Sequence, residues 1–375
     1  MSQCQVVAQS PGAPTSRPTR QLDLIEGTRR TPEQYVREAI DCAGCPIKTV
    51  CLLSGGGDST VTAHRCRDFY DELAFIDTGT ALPGVRDFVI AFAAWLGKPL
   101  RIFDSGDAYR NLVLGDDRWW SFYTRERRRS ESVSDFVVRT TPSRRRGDGL
   151  GNAPQGFPGP GGGHRAAYAR LKERQVEALL REAKRGRGRR ERVALLSGAR
   201  RYESRRRSMT QGVEGWRLRK SQLWINPLND WRNEEMVAYR QEHGIPQSDV
   251  AALLHRSGEC NCGAYMSVGE IQDVRALFPD WHRDTILPLE AEARAAGLPR
   301  QVWGERVDTG RAGARGFPFG AVDAEQLALS FDQGVPEVKE GGSLCSSCAA
   351  RTSDDASASE EGVVEREVAL GDRVP

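Results

Sequence analysis

The sequence predicts an α/β fold built on a parallel sheet, and three observations carry that prediction. Short apolar runs recur at Val50–Leu53, Leu73–Asp77 and Pro99–Phe103, each the length of a buried strand. Stretches with helical patterning lie between them, the second starting at Pro83 and running to Trp95. Strand–helix alternation of this kind forms parallel sheets that bind ligands at the strands' C-terminal ends. Finally, the first run ends in Ser54-Gly55-Gly56-Gly57-Asp58-Ser59, a turn whose glycines let backbone N–H groups approach a ligand closely.

The residues after this turn can continue as helix to about Tyr70. A helix N-terminus adds partial positive charge where the loop's donors converge. Ser54, Ser59 and Thr60 contribute hydroxyls, so the loop suits a pyrophosphate. Asp58 alone would repel phosphate, and its presence points to a bound Mg²⁺ between them. No Gly-Lys-Ser/Thr closes the loop, which separates it from the mononucleotide P-loop. The third glycine of a dinucleotide fingerprint is missing as well.

Later segments keep the α/β rhythm. His164-Arg165 and Leu171-Lys172 fall on a basic helical stretch, and Val193–Ser197 is a further strand. That strand runs into Gly198-Ala199-Arg200-Arg201-Tyr202-Glu203-Ser204-Arg205. Asn226-Pro227-Leu228-Asn229-Asp230-Trp231 follows, then Glu234-Glu235-Met236 at the start of a helix. Taken in order, these elements resemble the phosphoadenosine phosphosulfate (PAPS) reductase-like family of the PP-loop ATP pyrophosphatases, the adenine nucleotide alpha hydrolase superfamily. The resemblance covers about residues 45–245. Its most specific parts are the Ser-Gly-Gly-x-Asp-Ser loop and the Arg-x-x-Glu-Ser block, with Asp77-Thr78-Gly79 in support.

That resemblance implies a Rossmann-like fold and an adenine nucleotide, ATP or PAPS. The adenosine is expected near Asp77, Thr78 and Gly79, with the phosphates over Ser54, Gly55, Gly56, Gly57, Asp58 and Ser59. Lys172, Arg200, Arg201 and Arg205 are expected to add positive charge on the phosphates, with Asp58 holding Mg²⁺. Two departures qualify the match. Gly57 stands where related loops often carry lysine, so one phosphate contact is missing or supplied elsewhere. Sulfonucleotide reductases usually have a degraded loop and a C-terminal Glu-Cys-Gly tail. This chain keeps the full loop, and Glu259-Cys260-Asn261-Cys262-Gly263 is not that tail.

At 375 residues the chain can bury a large core. Residues 1–30 are rich in Ser, Pro, Thr and Arg and read as a disordered tail. Thr31-Pro32-Glu33 then opens a helix with a cap, a first-position proline and an early acid. A nucleotide-binding domain is expected over 31–250 and a helical, Cys-containing region over 251–350, helical and amphipathic across 266–297. Residues 351–375 read as a disordered acidic tail. Eight glycines and three prolines in 147–163 exclude regular structure there, leaving a mobile lid or a linker. No stretch reaches eighteen apolar residues and the N-terminus has no apolar run, so the expectation is a cytoplasmic protein without a membrane span. The Arg-rich composition suggests a bacterial or phage source.

The formal charge is only +3 but it is uneven. Residues 101–220 hold 30 Lys/Arg against 14 Asp/Glu, a net of +16, and the remainder 24 against 37, a net of −13. The basic stretch is either a footprint for nucleic acid or a solvated surface. Trp119, Trp120 and Tyr123 beside it can stack bases or fill a core, and core is the simpler expectation.

Nine cysteines in a chain of this kind point to metal or redox chemistry rather than disulfides. Cys260-x-Cys262 and Cys345-x-x-Cys348 have ligand-like spacing and together offer four thiolates for an iron–sulfur cluster or a zinc ion. The resemblance extends to DNA-phosphorothioation-type sulfurtransferases of this branch, which favours a [4Fe–4S] cluster over Zn²⁺. Cys51 and Cys66 are expected to be buried, and Cys42 and Cys45 to be ordinary thiols.

The expected activity is therefore cleavage of ATP to AMP and pyrophosphate, with adenylylation of an acceptor and sulfur transfer to a nucleic acid or small molecule. A sulfur donor is the expected partner. One alternative is an oxidoreductase acting on PAPS or adenylyl sulfate with a thioredoxin-like reductant. Another is a non-catalytic nucleotide sensor or nucleic-acid-binding protein.

Overall fold

A computed structural model describes residues 29–140, 151–159, 164–188, 190–203, 207, 213–264 and 266–305. The N-terminal tail, Ser204, Arg205, Cys345, Cys348 and the acidic tail lie outside the described residues.

Six strands form one sheet: β1 (Lys48–Leu52), β2 (Glu72–Asp77), β3 (Leu100–Asp104), β4 (Val193–Leu196), β5 (Trp216–Arg219) and β6 (Gln222–Ile225). Their order is β3-β2-β1-β4-β6-β5. All neighbours pair in parallel except β5, which runs antiparallel to β6 along the edge. The chain steps outward from β1 to β3, then returns to β4 on the other side of β1. The switch point of the sheet thus falls between β1 and β4, where open α/β sheets bind ligands. The hairpin of β5 and β6 is not evident from the sequence pattern, because four-residue strands offer too little alternation to read.

Helix α1 (Pro32–Ala43) starts as expected, with Thr31 and Gln34 forming a reciprocal capping box. The helix after the loop, α2 (Gly57–Arg65), ends sooner than the expected Tyr70, because the chain tightens into a 3₁₀ turn over Arg67–Phe69. Helix α3 (Val85–Leu96) enters two residues after Pro83. Between β3 and β4 come α4 (Ala108–Leu114), α5 (Asp117–Glu126) and α6 (Val133–Thr140). Trp119 is buried there, stacked on Tyr123 with ring centroids 5.5 Å apart, and Phe136 meets both rings edge-on. This aromatic cluster is core.

Residues 151–159 are packed against the rest of the domain. Gln155 and Gly156 donate to the carbonyls of Leu112 and Val113 at 3.0 Å, Phe157 N–H donates to Arg300, and the Phe157 ring is buried. Among the described residues, 151–159 form no helix, as their glycine and proline content implies, but that content says nothing of whether a loop is packed.

Helix α7 (His164–Tyr168) passes through a π segment (Ala169–Glu173) into α8 (Arg174–Ala183). Helix α9 (Asn233–Glu242) lies against α2, and α10 (Asp249–Leu254) precedes the Cys260–Cys262 turn. The expected helical span 266–297 is divided into α11 (Val268–Leu277), α12 (Pro279–Trp281), a π segment (His282–Ile286) and α13 (Leu287–Ala295). Pro279 and Pro288 mark the breaks, since each lacks the N–H a continuous helix needs. One hydrophobic cluster runs from Val36 through Trp119 and Leu223 to Trp281 and Trp303. The C-terminal helices therefore share the core of the sheet. Among the described residues no helix is long and apolar enough to cross a membrane.

Candidate functional site

The loops after β1, β2, β4 and β6 meet at the C-terminal edge of the sheet. Gly55 takes φ +83°, a conformation open to glycine, and Gly56 caps α2 without a side-chain hydrogen bond. The serines fix the loop from within. Ser59 Oγ donates to Gly56 O at 2.9 Å and lies 3.2 Å from Ser54 N and 3.1 Å from Ser54 Oγ. The loop after β4 approaches so closely that a Cβ on Gly198 would sit 2.7 Å from the Asp58 carbonyl carbon and 2.8 Å from Ser59 N. Only glycine fits there, and this contact closes the switch point.

Asp58, expected to hold Mg²⁺, is paired inside the protein. Its side chain is 4% exposed and accepts from Arg200 Nε at 2.8 Å. Arg200 is likewise not an open phosphate contact. Its side chain is 1% exposed, and its other nitrogens donate to Trp231 O at 3.2 Å and Asn233 Oδ1 at 2.8 Å. A guanidinium so enclosed is the counterion that lets a carboxylate be buried. Burial pushes the Asp58 carboxyl up, while Arg200, Arg207 and Arg240 pull it down.

Glu203, the glutamate of the Arg-x-x-Glu-Ser block and given no role there, joins this network. It is buried, Arg207 Nη1 lies 3.1 Å from its Oε2, and its Oε1 has no partner among the described residues. Burial raises its pKa to about 7, against the pull of Arg207. Arg201 Nη1 lies 3.6 Å from Asp230 Oδ1, and Asp230 also accepts from the Tyr35 hydroxyl.

At β2, Asp77 accepts from Gly79 N at 3.0 Å and from Arg86 at 3.2 Å. Thr78 is buried and donates to Glu259 O at 2.7 Å. Asn261 continues this docking, its N–H donating to Thr80 Oγ1 at 3.0 Å and its amide to Thr80 O at 2.9 Å. The turn carrying Cys260 and Cys262 is thus pinned to the loop after β2, beside the strand that carries Ser54–Ser59. Sequence separation of 181 residues hides this contact from any local pattern.

Cys260 is half-buried and Cys262 is buried. A hydrogen bond from Cys262, aided by the Lys172 charge, lowers the Cys260 pKa to about 6, while Cys262 is pushed up. Lys172, expected at a phosphate, instead donates to Glu259 Oε1. Its position depends on the π segment, which sets the register of that helix.

Among the described residues, no group of three His, Cys, Asp or Glu side chains converges as a metal site. Two thiols supply half of the ligands that an iron–sulfur cluster or zinc ion takes, and Cys345 and Cys348 lie outside the described residues. The described residues alone do not make up that site. Cys51 and Cys66 are buried as expected, and Cys42 and Cys45 are exposed.

The phosphoadenosine phosphosulfate reductase domain model matches residues 48–276, more than half of the chain. Similar solved structures include phosphoadenylyl-sulfate reductase from Candida auris in a phosphate complex, at 18% identity, covering 60% of this chain and 85% of that one, with a TM-score of 0.36. NMN synthetase from Francisella tularensis matches at 12% identity over 69% of this chain and 95% of that one, TM-score 0.34. The U34-tRNA thiolase NcsA from Methanococcus maripaludis, with its [4Fe-4S] cluster, matches at 13% over 71% and 78%, TM-score 0.31. No curated protein is matched by sequence. By the span and identity of the domain matched, the chain belongs to the phosphoadenosine phosphosulfate reductase domain family.

Proposed function

We propose that this protein binds an adenine nucleotide over Ser54–Ser59 and uses it for sulfur chemistry at Cys260 and Cys262. The observation that carries this reading is the docking of the Glu259–Asn261 turn on Thr78 and Thr80, next to a complete loop at the switch point. With ATP, an acceptor oxygen attacks the α-phosphorus. A P–O bond forms to the acceptor, the α–β bridging bond breaks, and pyrophosphate leaves. Backbone N–H groups at the start of α2, the serine hydroxyls and neighbouring arginines stabilise the developing charge. A sulfur nucleophile then displaces AMP from the acceptor. Asp58 and Arg200 position the loop from beneath, and Arg201 carries positive charge in the segment that follows β4. No step is assigned to Mg²⁺ on Asp58, to zinc or to a cluster.

A second reading is favoured by Cys260 standing beside Lys172. Here PAPS or adenylyl sulfate occupies the cleft and the Cys260 thiolate attacks its sulfur. An S–S bond to the sulfonate forms, the adenosine phosphate leaves, and a thioredoxin-like dithiol releases sulfite while becoming a disulfide. A nucleic acid remains a proposed acceptor through the basic 101–220 stretch.

Anaerobically purified full-length protein distinguishes these readings. ATP with Mg²⁺ is assayed for AMP and pyrophosphate, and PAPS with reduced thioredoxin for sulfite, each beside Ser59→Ala. Pyrophosphate that disappears in the variant supports the first reading, and thioredoxin-dependent sulfite supports the second. Nucleotide binding with neither product sinks both and leaves a sensor.

A further inference from the structure

We propose that Arg240, from helix α9, supplies the phosphate-binding charge of the loop through the space left open by Gly57. This rests on the nucleotide reading of Ser54–Ser59 and names a residue that the sequence motifs do not contain. Gly57 is the first residue of α2 and has no side chain to offer. A Cβ built there would lie 3.2 Å from Arg240 Nη1 and 3.5 Å from Met236 Cε. Met236 is buried one helical turn before Arg240, so α9 is held against α2 and the guanidinium is delivered to the mouth of the loop.

The electrostatics of that position demand an anion. A cation at a helix N-terminus opposes the helix dipole, and α2 has no side-chain cap to offset it. Among the described residues the Arg240 side chain has no hydrogen bond or ion pair; its attraction to buried Asp58 acts at longer range. Two positive elements, the open helix end and Arg240, therefore converge beside Gly57, where the first-turn acid Asp58 is already matched by Arg200 at 2.8 Å. A phosphate oxygen seated on the α2 N–H groups would be reached by both. Arg200, by contrast, cannot turn outward without stranding Asp58.

The test is equilibrium binding of ATP, inorganic pyrophosphate and adenosine to the full-length protein and to Arg240→Met, Arg240→Lys and Gly57→Lys/Arg240→Met. Loss of one charge-assisted hydrogen bond corresponds to about ten- to a hundredfold in affinity. Arg240→Met should lose about that much for ATP and pyrophosphate and nothing for adenosine. Arg240→Lys should lose less, and the double variant should recover binding, because a lysine on Gly57 reaches the same anion from the other side. Unchanged ATP and pyrophosphate affinity in Arg240→Met overturns the assignment. Equal losses for adenosine and ATP overturn it too, since they would mark a disturbed fold. Wild-type protein that binds none of the three refutes the underlying loop reading instead, and so is told apart from failure of Arg240 alone.

Discussion

The underside of the nucleotide loop and the thiol corner flank the same edge of the sheet, yet they handle charge in opposite ways. Beneath the loop, Asp58 and Arg200 are sealed from water and three of the arginine's nitrogens are engaged. At the corner, the Lys172 side chain is 27% exposed and its partner Glu259 14%, and Cys260 is half-buried. The first arrangement is a clamp, expensive to open and suited to holding a backbone shape. The second is loose enough for a thiol to meet a substrate. Motif residues thus divide into those that set the geometry and those with room to react.

The largest effect should come from opening the clamp. Arg200→Met leaves a buried carboxylate without its counterion, and chemical denaturation should show a loss of about 3–5 kcal/mol. A loss under 1 kcal/mol would mean that the clamp is no more rigid than the corner. Ser59→Ala should come next, lowering nucleotide turnover by about a hundredfold, the scale for one preorganised donor, with a smaller change in melting temperature. Cys260→Ser sharpens the contrast, because sulfur-dependent product should vanish while stability moves by less than about 0.5 kcal/mol, as for a side chain outside the core.

Glu203 gives the clamp a pH signature. Its pKa rises from an ordinary 4.5 to about 7 in the folded protein, so the unfolded chain releases this proton first. Its contribution to stability is complete below pH 4.5 and lost as the pH rises through about 7. The slope between these values is at most about 1.4 kcal/mol per pH unit. Denaturation of Glu203→Gln across that range should lack this component; an unaltered slope would assign it to another group. The smallest effect belongs to the corner's ion pair. Lys172→Met should cost no more than about 1 kcal/mol of stability, since this ion pair is only partly withdrawn from solvent.

Much of the fold was legible because the determinants are local. β1 with its loop, β2, β3 and β4 show their apolar runs, and the capping residues of α1 are contiguous. Parallel order follows from the helices between them. What stayed hidden depends on distant partners. Nothing near Asp58 or Arg200 reveals that the two meet across 142 residues and neutralise each other indoors; an aspartate after three glycines reads equally well as a ligand. The seating of Cys260 on the loop after β2 is hidden for the same reason. Arg240 sits on an exposed-looking helix, and only the missing side chain at Gly57 gives a hint of it.

The π turn over Ala169–Glu173 makes chain length itself a determinant of the thiol corner. Such a turn holds one residue more than the α-helix around it, and it is tolerated where the displaced side chain has a task. Removing a single residue from the turn would restore a regular helix with the turns on either side kept in place, and would re-aim the residues of the turn itself by up to about 100°. Lys172 would then leave Glu259 and the thiol it attends. A one-codon deletion in this segment would silence the corner without altering any of the residues that make it up.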